Sequence, residues 1–378
     1  MTDIVNSFED LPSPCFVCEE ELLKKNLELL KKIQDEASVK ILLALKGFSL
    51  YSTFDLCKEY LHGCCASGLH EALLASKEFG REVHTYSPAF KEEEVDEIVS
   101  LSNHIVFNSI AQLKKFENKA IGRTSIGLRV NPEYSSVEVD LYNPCGAFSR
   151  LGITKKNFDK DAIFNVDGLH FHALCEQNVD ALEGALKSFE EKFGEFLPKM
   201  KWVNFGGGHH ITRADYDING LVTLLKEFKI RYPHLEVYLE PGEAVGWKTG
   251  YLTATVLDIV NNGMDIAILD TSAEAHMPDT LAMPYRADIR NSAESGLKAH
   301  TYRLGGNTCL AGDIIGDYSF DEPLKVGDKI ILEDMIHYTM VKTTTFNGIK
   351  LPSIAIKKAE DCYQIVKNFG YNEYKARL

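Results

Sequence analysis

The sequence has no long apolar segment and comparatively few positive charges. None of its apolar runs approaches the roughly 20 residues that a membrane-spanning helix needs. Residues 1–5 lack the basic stretch and apolar core of a signal peptide. Lys and Arg total 41 against 55 Asp and Glu, a formal net charge of −14, whereas nucleic-acid-binding domains usually carry a basic patch. We therefore expect neither a membrane nor a nucleic-acid partner.

The nine cysteines follow no disulfide spacing. Cys64 and Cys65 are adjacent, and the single Cys-x-x-Cys pair, Cys15 and Cys18, has no second pair at zinc-ligand spacing. An odd, scattered set of this kind is typical of a reducing compartment. We therefore expect a cytoplasmic protein without a bound metal.

Short apolar strands alternate with longer amphipathic helices through the first two-thirds of the chain. This alternation favours a parallel sheet, and about eight strands are the number that closes a parallel (β/α)8 barrel. The strand candidates are residues 39–45, 63–66, 82–86, 104–107, 125–130, 168–173, 202–205 and 236–239. The helical candidates are residues 21–34, 69–79, 92–101, 110–116, 179–196 and 221–230.

The pattern changes after Trp247, where strands follow one another with few helices between them. Turn signals punctuate this part of the chain, and the apolar segment 14–17 could join it. The strand candidates are residues 251–260, 265–269, 299–304 and 329–332. We predict an α/β protein: a parallel TIM-like barrel over residues 22–247, and a second, mainly antiparallel β domain over residues 1–21 and 248–378.

Four distinctive features close or follow predicted barrel strands, at the end where barrels keep their active sites. Lys46 ends the apolar run 41–45 and could either reach solvent or become a nucleophile through a lowered pKa. Residues 206–208 are all glycine and could be a loose turn or a phosphate cradle. The other two features are His172 and Glu240. Their shared position predicts one site at this rim.

His172 and Glu240 each have two interpretations. His170 and His172 lie two residues apart, so a strand would point both rings to one face. They could bind the metal of a hydrolase, or His172 could lie flat against an aromatic cofactor. Glu240 would need a cationic partner if buried, which could be a protonated pyridine or a Lys or Arg of the barrel.

Taken in order, these motifs resemble the fold-type III pyridoxal-phosphate-dependent amino-acid decarboxylases. The matching segments of the barrel are Lys46, His172, the run Asn-Phe-Gly-Gly-Gly at 204–208 and Glu-Pro-Gly at 240–242. The resemblance continues in residues 306–313 and in residues 337–348. It covers nearly the whole chain.

The resemblance implies a cofactor, pyridoxal 5'-phosphate, and a role for each matching residue. Lys46 would bind the cofactor covalently, Glu240 would keep the pyridine nitrogen protonated, and His172 would stack on the ring. Cys309 would return a proton after carbon dioxide leaves, and Asp313 would lie beside it and contact the substrate. The cofactor phosphate would be held by Gly206, Gly207, Gly208 and Tyr338, with Arg150 close by. Because the cysteine loop of this family completes the neighbouring subunit's site, we expect a homodimer with composite sites.

Residues 240–243 and 270–279 resemble the branch of the family that acts on polyamine-like amino acids such as carboxynorspermidine and carboxyspermidine. Glu243 stands where the larger family usually has Arg, and an anion there suits an amine rather than a carboxylate. Asp279 could hold the same cationic arm. The alternatives are a diaminopimelate-specific member, which must bind a second carboxylate, and a member that has lost catalysis.

Overall fold

The computed structural model describes residues 3–283 and 285–378. The chain divides into two compact units: Lys24–Val245, and the residues up to Leu23 together with Gly246–Leu378. The strands are β1 (Asp3–Val5), β2 (Cys15–Glu19), β3 (Lys40–Ala44), β4 (Gly63–Ala66), β5 (Glu82–Tyr86), β6 (His104–Phe107), β7 (Ser125–Arg129), β8 (Gly168–His170), β9 (Trp202–Asn204), β10 (Glu236–Leu239), β11 (Gly250–Asn261), β12 (Asp265–Leu269), β13 (Ala293–Glu294), β14 (His300–Gly305), β15 (Ile314–Phe320), β16 (Lys329–Glu333), β17 (Ser353–Ala359) and β18 (Cys362–Lys367). The α-helices are α1 (Glu20–Ala37), α2 (Phe54–Tyr60), α3 (Leu69–Leu74), α4 (Glu92–Leu101), α5 (Ile110–Ala120), α6 (Val179–Phe193), α7 (Ile218–Arg231), α8 (Glu243–Gly246), α9 (Ala273–His276), α10 (Asp279–Ala282), α11 (Tyr338–Val341) and α12 (Tyr371–Arg377).

Strands β3 to β10 are all parallel and close into a barrel, which confirms the predicted fold class. Each of the predicted barrel strands is present. The largest difference is at β8, which ends at His170 rather than at residue 173, because the chain leaves the sheet there for the loop that carries His172. The helix α2 was missed, since its seven residues are too few to show a clear helical period.

The interior of the barrel is packed around the indole of Trp202. A Cβ atom on Gly168 would lie 2.1 Å from Trp202 Cδ2, and one on Gly127 would lie 2.4 Å from Trp202 Cη2. Glycine at these two positions therefore makes room for the ring. Trp202 Nε1 donates to Ser125 Oγ at 2.9 Å, which satisfies its buried polar group.

A polar network occupies the N-terminal end of the barrel. The Glu82 carboxylate lies 2.8 Å from His62 Nε2, 2.9 Å from His84 Nε2 and 2.8 Å from the Tyr238 hydroxyl. Burial opposes its charge, but these hydrogen bonds hold the pKa of Glu82 well below its usual range. His104 stacks on His84 with ring centroids 3.9 Å apart, and burial lowers the pKa of His104 to about 2.

The second unit is built on one mixed, mainly antiparallel sheet, as predicted. Its strand order is β1-β18-β17-β2-β11-β12-β14-β15-β13, and β16 also pairs with β11. The segment 14–17 contributes to β2, which pairs with β11 and β17. Strands β15, β17 and β18 were not predicted, because polar and half-buried residues interrupt their apolar pattern. In the described ranges, no helix has both the length and the apolar character to cross a membrane.

Candidate active site

Lys46 follows β3 at the C-terminal end of the barrel, and its side chain is accessible to solvent. Gly47 makes this position possible, because a Cβ there would lie 2.9 Å from the backbone nitrogen of Glu243. Although part of the side chain reaches solvent, the protein atoms packed around the amine desolvate it and so lower the pKa of Lys46. The neighbouring Arg129 lowers this pKa further, while Cys65 acts in the opposite direction. A lysine with a lowered pKa holds more of the uncharged amine, which is the nucleophilic form.

Glu240 follows β10 at the same end of the barrel. Its Oε1 atom accepts a hydrogen bond from Asn204 Nδ2 at 2.7 Å, and its Oε2 atom lies 3.4 Å from His170 Nε2. Burial opposes the charge, but these two neighbours lower the pKa of Glu240 to about 2. The site therefore contains a largely buried carboxylate, 13% exposed, that is ionised at neutral pH.

His172 is held as a neutral ring with a defined tautomer. Its Nδ1 atom accepts a hydrogen bond from the backbone nitrogen of Gly207 at 2.8 Å, so the lone pair is on Nδ1. Burial lowers the pKa of His172 well below its ordinary value, and Lys46 and Arg129 add to this effect. His172 can thus present an uncharged face or a single Nε2 proton to a ligand.

The glycine run 206–208 has no room for side chains. A Cβ on Gly206, Gly207 or Gly208 would lie 2.5, 2.4 or 2.1 Å from a backbone oxygen, respectively. Two of the three amides already donate within the protein, Gly206 to Asn204 Oδ1 at 2.8 Å and Gly207 to His172. Over residues 3–283 and 285–378, the Gly208 amide donates to no protein acceptor. Gly208 therefore has the backbone amide that is most available to a phosphate, and phosphate binding by the three glycines stays a prediction.

Arg129 is a site residue that the sequence reasoning missed. It is buried at the end of β7, its guanidinium lies 4.6 Å from the centre of the Tyr86 ring, and its Nη2 atom is 3.4 Å from the His172 carbonyl oxygen. The signal was available, since Arg129, like Lys46, is a charged residue at the end of an apolar strand.

Arg150 and Glu243 lie in the same unit as Lys46. Arg150 is exposed in the loop between β7 and β8, and its carbonyl oxygen accepts from Asn108 Nδ2 at 2.8 Å. Glu243 is half-buried and is the first residue of α8. Its backbone contacts Gly47, so Glu243 lies next to the segment that carries Lys46.

In the second unit, Asp313 ties the cysteine loop, residues 306–313, to the start of α9. Its buried carboxylate accepts from Ser272 Oγ at 2.9 Å, from the Ala273 nitrogen at 2.7 Å and from Thr308 Oγ1 at 2.6 Å. It accepts further from the backbone nitrogens of Glu274 and Thr308. Both oxygens are therefore engaged within the protein, and a contact between Asp313 and a substrate stays a prediction.

Cys309, Asp279 and Tyr338 are also in the second unit. Cys309 is exposed, and its backbone nitrogen donates to Asn347 Oδ1 at 2.7 Å. Asp279 begins α10 and forms an ion pair with Lys342, with distances of 2.7 and 2.8 Å from Lys342 Nζ to its two oxygens. Tyr338 is half-buried at the start of α11. Thus the structure groups Lys46, His172, Gly206–Gly208, Glu240, Arg150 and Glu243 in one unit, and Cys309, Asp313, Asp279 and Tyr338 in the other.

The hydrolase interpretation of His170 and His172 has little support in the site. His172 Nδ1 is engaged by Gly207, and His170 faces Glu240. Of the residues described, only Glu82, His84 and His104 bring three possible metal ligands together, and they lie at the opposite end of the barrel. The Glu82 carboxylate of this group already lies within hydrogen-bond distance of His62, His84 and the Tyr238 hydroxyl.

Comparison with known proteins agrees with this arrangement. A family model described as "Pyridoxal-dependent decarboxylase, C-terminal sheet domain" matches residues 15–336. The carboxynorspermidine/carboxyspermidine decarboxylase of Campylobacter jejuni is 51% identical over 98% of this chain and 99% of its own length. The carboxyaminopropylagmatine decarboxylase of a Synechocystis species is 46% identical over 97% of this chain and 96% of its own length.

A solved structure is also similar to this chain along nearly its full length. The crystal structure of Campylobacter jejuni carboxynorspermidine decarboxylase complexed with norspermidine superposes with a TM-score of 0.92 at 50% identity, over 97% of this chain and 100% of that one. The lysine, the ionised carboxylate and the neutral histidine at the end of the barrel are thus accompanied by similarity along nearly the full length. This chain belongs to the family of pyridoxal-dependent decarboxylases.

Proposed function

We propose that this protein decarboxylates carboxynorspermidine or carboxyspermidine and releases norspermidine or spermidine. The observation that carries the proposal is the pairing of Lys46, whose pKa is lowered, with the ionised Glu240 at one end of the barrel. The 51% identity to the Campylobacter jejuni enzyme supports the choice of substrate.

The residues at the end of the barrel fit pyridoxal 5'-phosphate. A reactive amine at Lys46 suits the aldehyde of the cofactor, and the buried anion of Glu240 suits a protonated ring nitrogen, which would balance its charge. The neutral ring of His172 suits the aromatic face. The Gly208 amide, which has room for no side chain, suits the phosphate. We propose that Tyr338 and Arg150 add contacts to the phosphate.

The bound cofactor supplies an electron sink for the pair that is released when the carboxyl group leaves. Glu240 would keep this sink effective, because its low pKa maintains a negative charge that suits a protonated ring nitrogen. The thiol of Cys309 holds the proton that replaces the carboxyl group on the substrate carbon. Asp313 acts as a positioning residue, since its carboxylate anchors the loop that carries Cys309.

Glu243 is the feature that favours an amine-bearing substrate over diaminopimelate. It is half-buried beside the Lys46 segment, where an anion would attract a substrate ammonium and repel a second carboxylate. Carboxyaminopropylagmatine is a related candidate substrate, because the Synechocystis relative at 46% identity is a carboxyaminopropylagmatine decarboxylase.

We also propose a homodimer in which the cysteine loop of one subunit completes the site of the other. The exposure of Cys309 in its own chain supports this. An active site usually excludes water, so an exposed proton donor would become enclosed when it enters the site of another subunit. The nine cysteines are free thiols, which is consistent with a cytoplasmic location.

Two measurements test the proposal on the cofactor-loaded enzyme. Carbon dioxide release is followed with carboxynorspermidine, carboxyspermidine, carboxyaminopropylagmatine and diaminopimelate, and we expect one of the first two to be preferred. Borohydride reduction followed by peptide mass analysis should attach the cofactor to Lys46, and Lys46→Ala should lose this mark. A preference for diaminopimelate, or a mark on another lysine, would contradict the proposal.

A further inference from the structure

The second unit contains a small site that already binds an ammonium group. Lys342 Nζ lies 2.7 and 2.8 Å from the two oxygens of Asp279 and 5.4 Å from the centre of the Tyr338 ring. A carboxylate combined with an aromatic face is the environment that recognises a primary ammonium. We call Asp279 and Tyr338 the ammonium cage.

Three polar contacts within this unit link the segments that carry the cage to the loop that carries Cys309. The Cys309 nitrogen donates to Asn347 Oδ1 at 2.7 Å, and the Thr344 nitrogen donates to the Ala275 carbonyl oxygen at 2.7 Å. Asp313 joins the cysteine loop to α9, which immediately precedes α10 and its first residue, Asp279. The cage, Lys342 and the proposed proton donor thus belong to one connected group of segments.

We propose that Lys342 is an internal competitor for the ammonium end of the substrate, which must displace it from the cage. This inference rests on the proposed function, because it requires a substrate with an ammonium group at the end of a flexible arm. Such a group has the same charge and nearly the same size as the end of a lysine side chain. Asp279 can therefore accept either one with the same hydrogen bonds.

Displacement of Lys342 requires little free energy. Its side chain is 41% exposed and that of Asp279 is 20% exposed, and partly exposed ion pairs of this kind contribute weakly to stability. The lysine side chain has a flexible four-carbon stem and can move its ammonium into solvent. The lysine therefore prevents Asp279 from being left as an uncompensated charge when no substrate is bound.

Competition by Lys342 also gives selectivity. A ligand that ends in an ammonium replaces Lys342 at Asp279 without a net change in charge at the cage. Diaminopimelate ends in a second amino-acid group, in which a carboxylate on the same carbon cancels the charge of the ammonium and is repelled by Asp279. The occupied cage thus favours arms that end in a net positive charge.

The test measures the dissociation constant of norspermidine on the cofactor-loaded full-length enzyme by calorimetry. Lys342→Met removes the competing charge and keeps the apolar stem, and we expect norspermidine to bind about two- to fivefold more tightly. Lys342→Arg keeps the charge and should bind norspermidine about as the wild type does. Asp279→Asn should weaken binding at least about tenfold, and adding Lys342→Met to it should give no gain.

Lys298→Met is the matched control, because Lys298 forms a comparable ion pair with Asp321 at 2.7 Å in the same unit. It should leave norspermidine binding unchanged. Thermal unfolding is recorded for every variant, and Lys342→Gln serves as a second neutral variant if Lys342→Met does not fold. Unchanged or weaker norspermidine binding by the folded neutral variants would overturn the inference.

Failure of the inference can be distinguished from failure of the proposed function. Binding of norspermidine is read without turnover, whereas the proposed function is read from carbon dioxide release by the wild type. An active wild type whose neutral Lys342 variants bind no more tightly contradicts only the role of Lys342. A wild type that releases no carbon dioxide from either carboxylated polyamine contradicts the proposed function itself.

Discussion

Individual residues at the end of the barrel are held in single protonation states by their neighbours. His172 stays neutral because it is desolvated and lies near Lys46 and Arg129, while Glu240 stays anionic because Asn204 and His170 contact its oxygens. His172 follows β8 and Glu240 follows β10, and only β9 lies between these two strands. Their different environments nevertheless give the two side chains different charges. Chemistry that needs a fixed anion beside an uncharged ring is thereby available at neutral pH.

Replacement of Glu240 by Gln should reduce turnover more than cofactor binding. The substitution keeps the shape but removes the anion opposite the cofactor ring, so we expect kcat to fall on the order of 10²- to 10³-fold. Lys46 should still be marked after borohydride reduction. Glu236→Gln is the control, because Glu236 begins the strand that Glu240 follows but is 54% exposed, and this variant should retain near-wild-type kcat. Full activity of Glu240→Gln would argue against the proposed role.

At the scale of elements, the parallel strands of the barrel separate two kinds of polar group. Lys46, His172 and Glu240 follow the C-terminal ends of β3, β8 and β10, whereas Glu82 and His104 are the first residues of β5 and β6. In a parallel barrel, residues after strands gather at one end and residues that begin strands gather at the other. We therefore expect the network of Glu82 and His104 to contribute to the stability of the barrel and not to catalysis.

The stability of the protein should depend on pH through His104. Its pKa in the folded state is lowered to about 2, so below pH 6.5 the unfolded chain binds a proton that the folded chain does not. The free energy of unfolding is therefore unaffected by the titration of this group above pH 6.5 and decreases as the pH falls below 6.5. His104→Gln should be less stable than the wild type at pH 7.5, and the difference should narrow by about 2 kcal/mol at pH 5.

Denaturant unfolding at several pH values measures this difference. His300→Gln is the control for the chemical change itself, because His300 is only half-buried, and it should show no comparable narrowing. A difference between the wild type and His104→Gln that stays constant from pH 7.5 to pH 5 would show that His104 is not held neutral.

At the scale of the whole molecule, the predicted catalytic groups are distributed over two units. Lys46 and Glu240 belong to the barrel, while Cys309 and Asp313 belong to the sheet domain. We propose that one active site combines the barrel residues of one subunit with the cysteine loop of its partner. The distribution of the catalytic groups over two units is the physical basis of this proposed homodimer.

Mixing two inactive variants should restore activity if the sites are composite. Lys46→Ala and Cys309→Ala are each expected to be nearly inactive alone. In randomly mixed dimers, half of the molecules contain one of each chain and one intact site, so about a quarter of the wild-type activity should return. Carbon dioxide release after denaturation and joint refolding measures this recovery. Either variant mixed with itself is the control, and the absence of recovery would indicate sites built from single chains.

Much of the architecture was predictable because local patterns encode it. The apolar runs and turn signals indicated β4, β5, β6 and β10 with their observed ends, and the change of pattern after Trp247 indicated a different second domain. The predicted site residues followed from the same pattern, since parallel strands bring their C-terminal ends to one rim. Strands β15, β17 and β18 were missed because pairing within the sheet, rather than an apolar alternation, stabilises them.

The sequence alone thus determined the barrel, the rim and the identity of its lysine, histidine and glutamate, because periodicity and strand direction are local properties. Only the tertiary structure decided which groups are still available to a ligand. It assigned the amides of Gly206 and Gly207 to protein acceptors, occupied the carboxylate of Asp313, and paired Asp279 with Lys342. The last two of these contacts join residues 41 and 63 positions apart, and no local pattern encodes which distant group satisfies a buried hydrogen bond or charge.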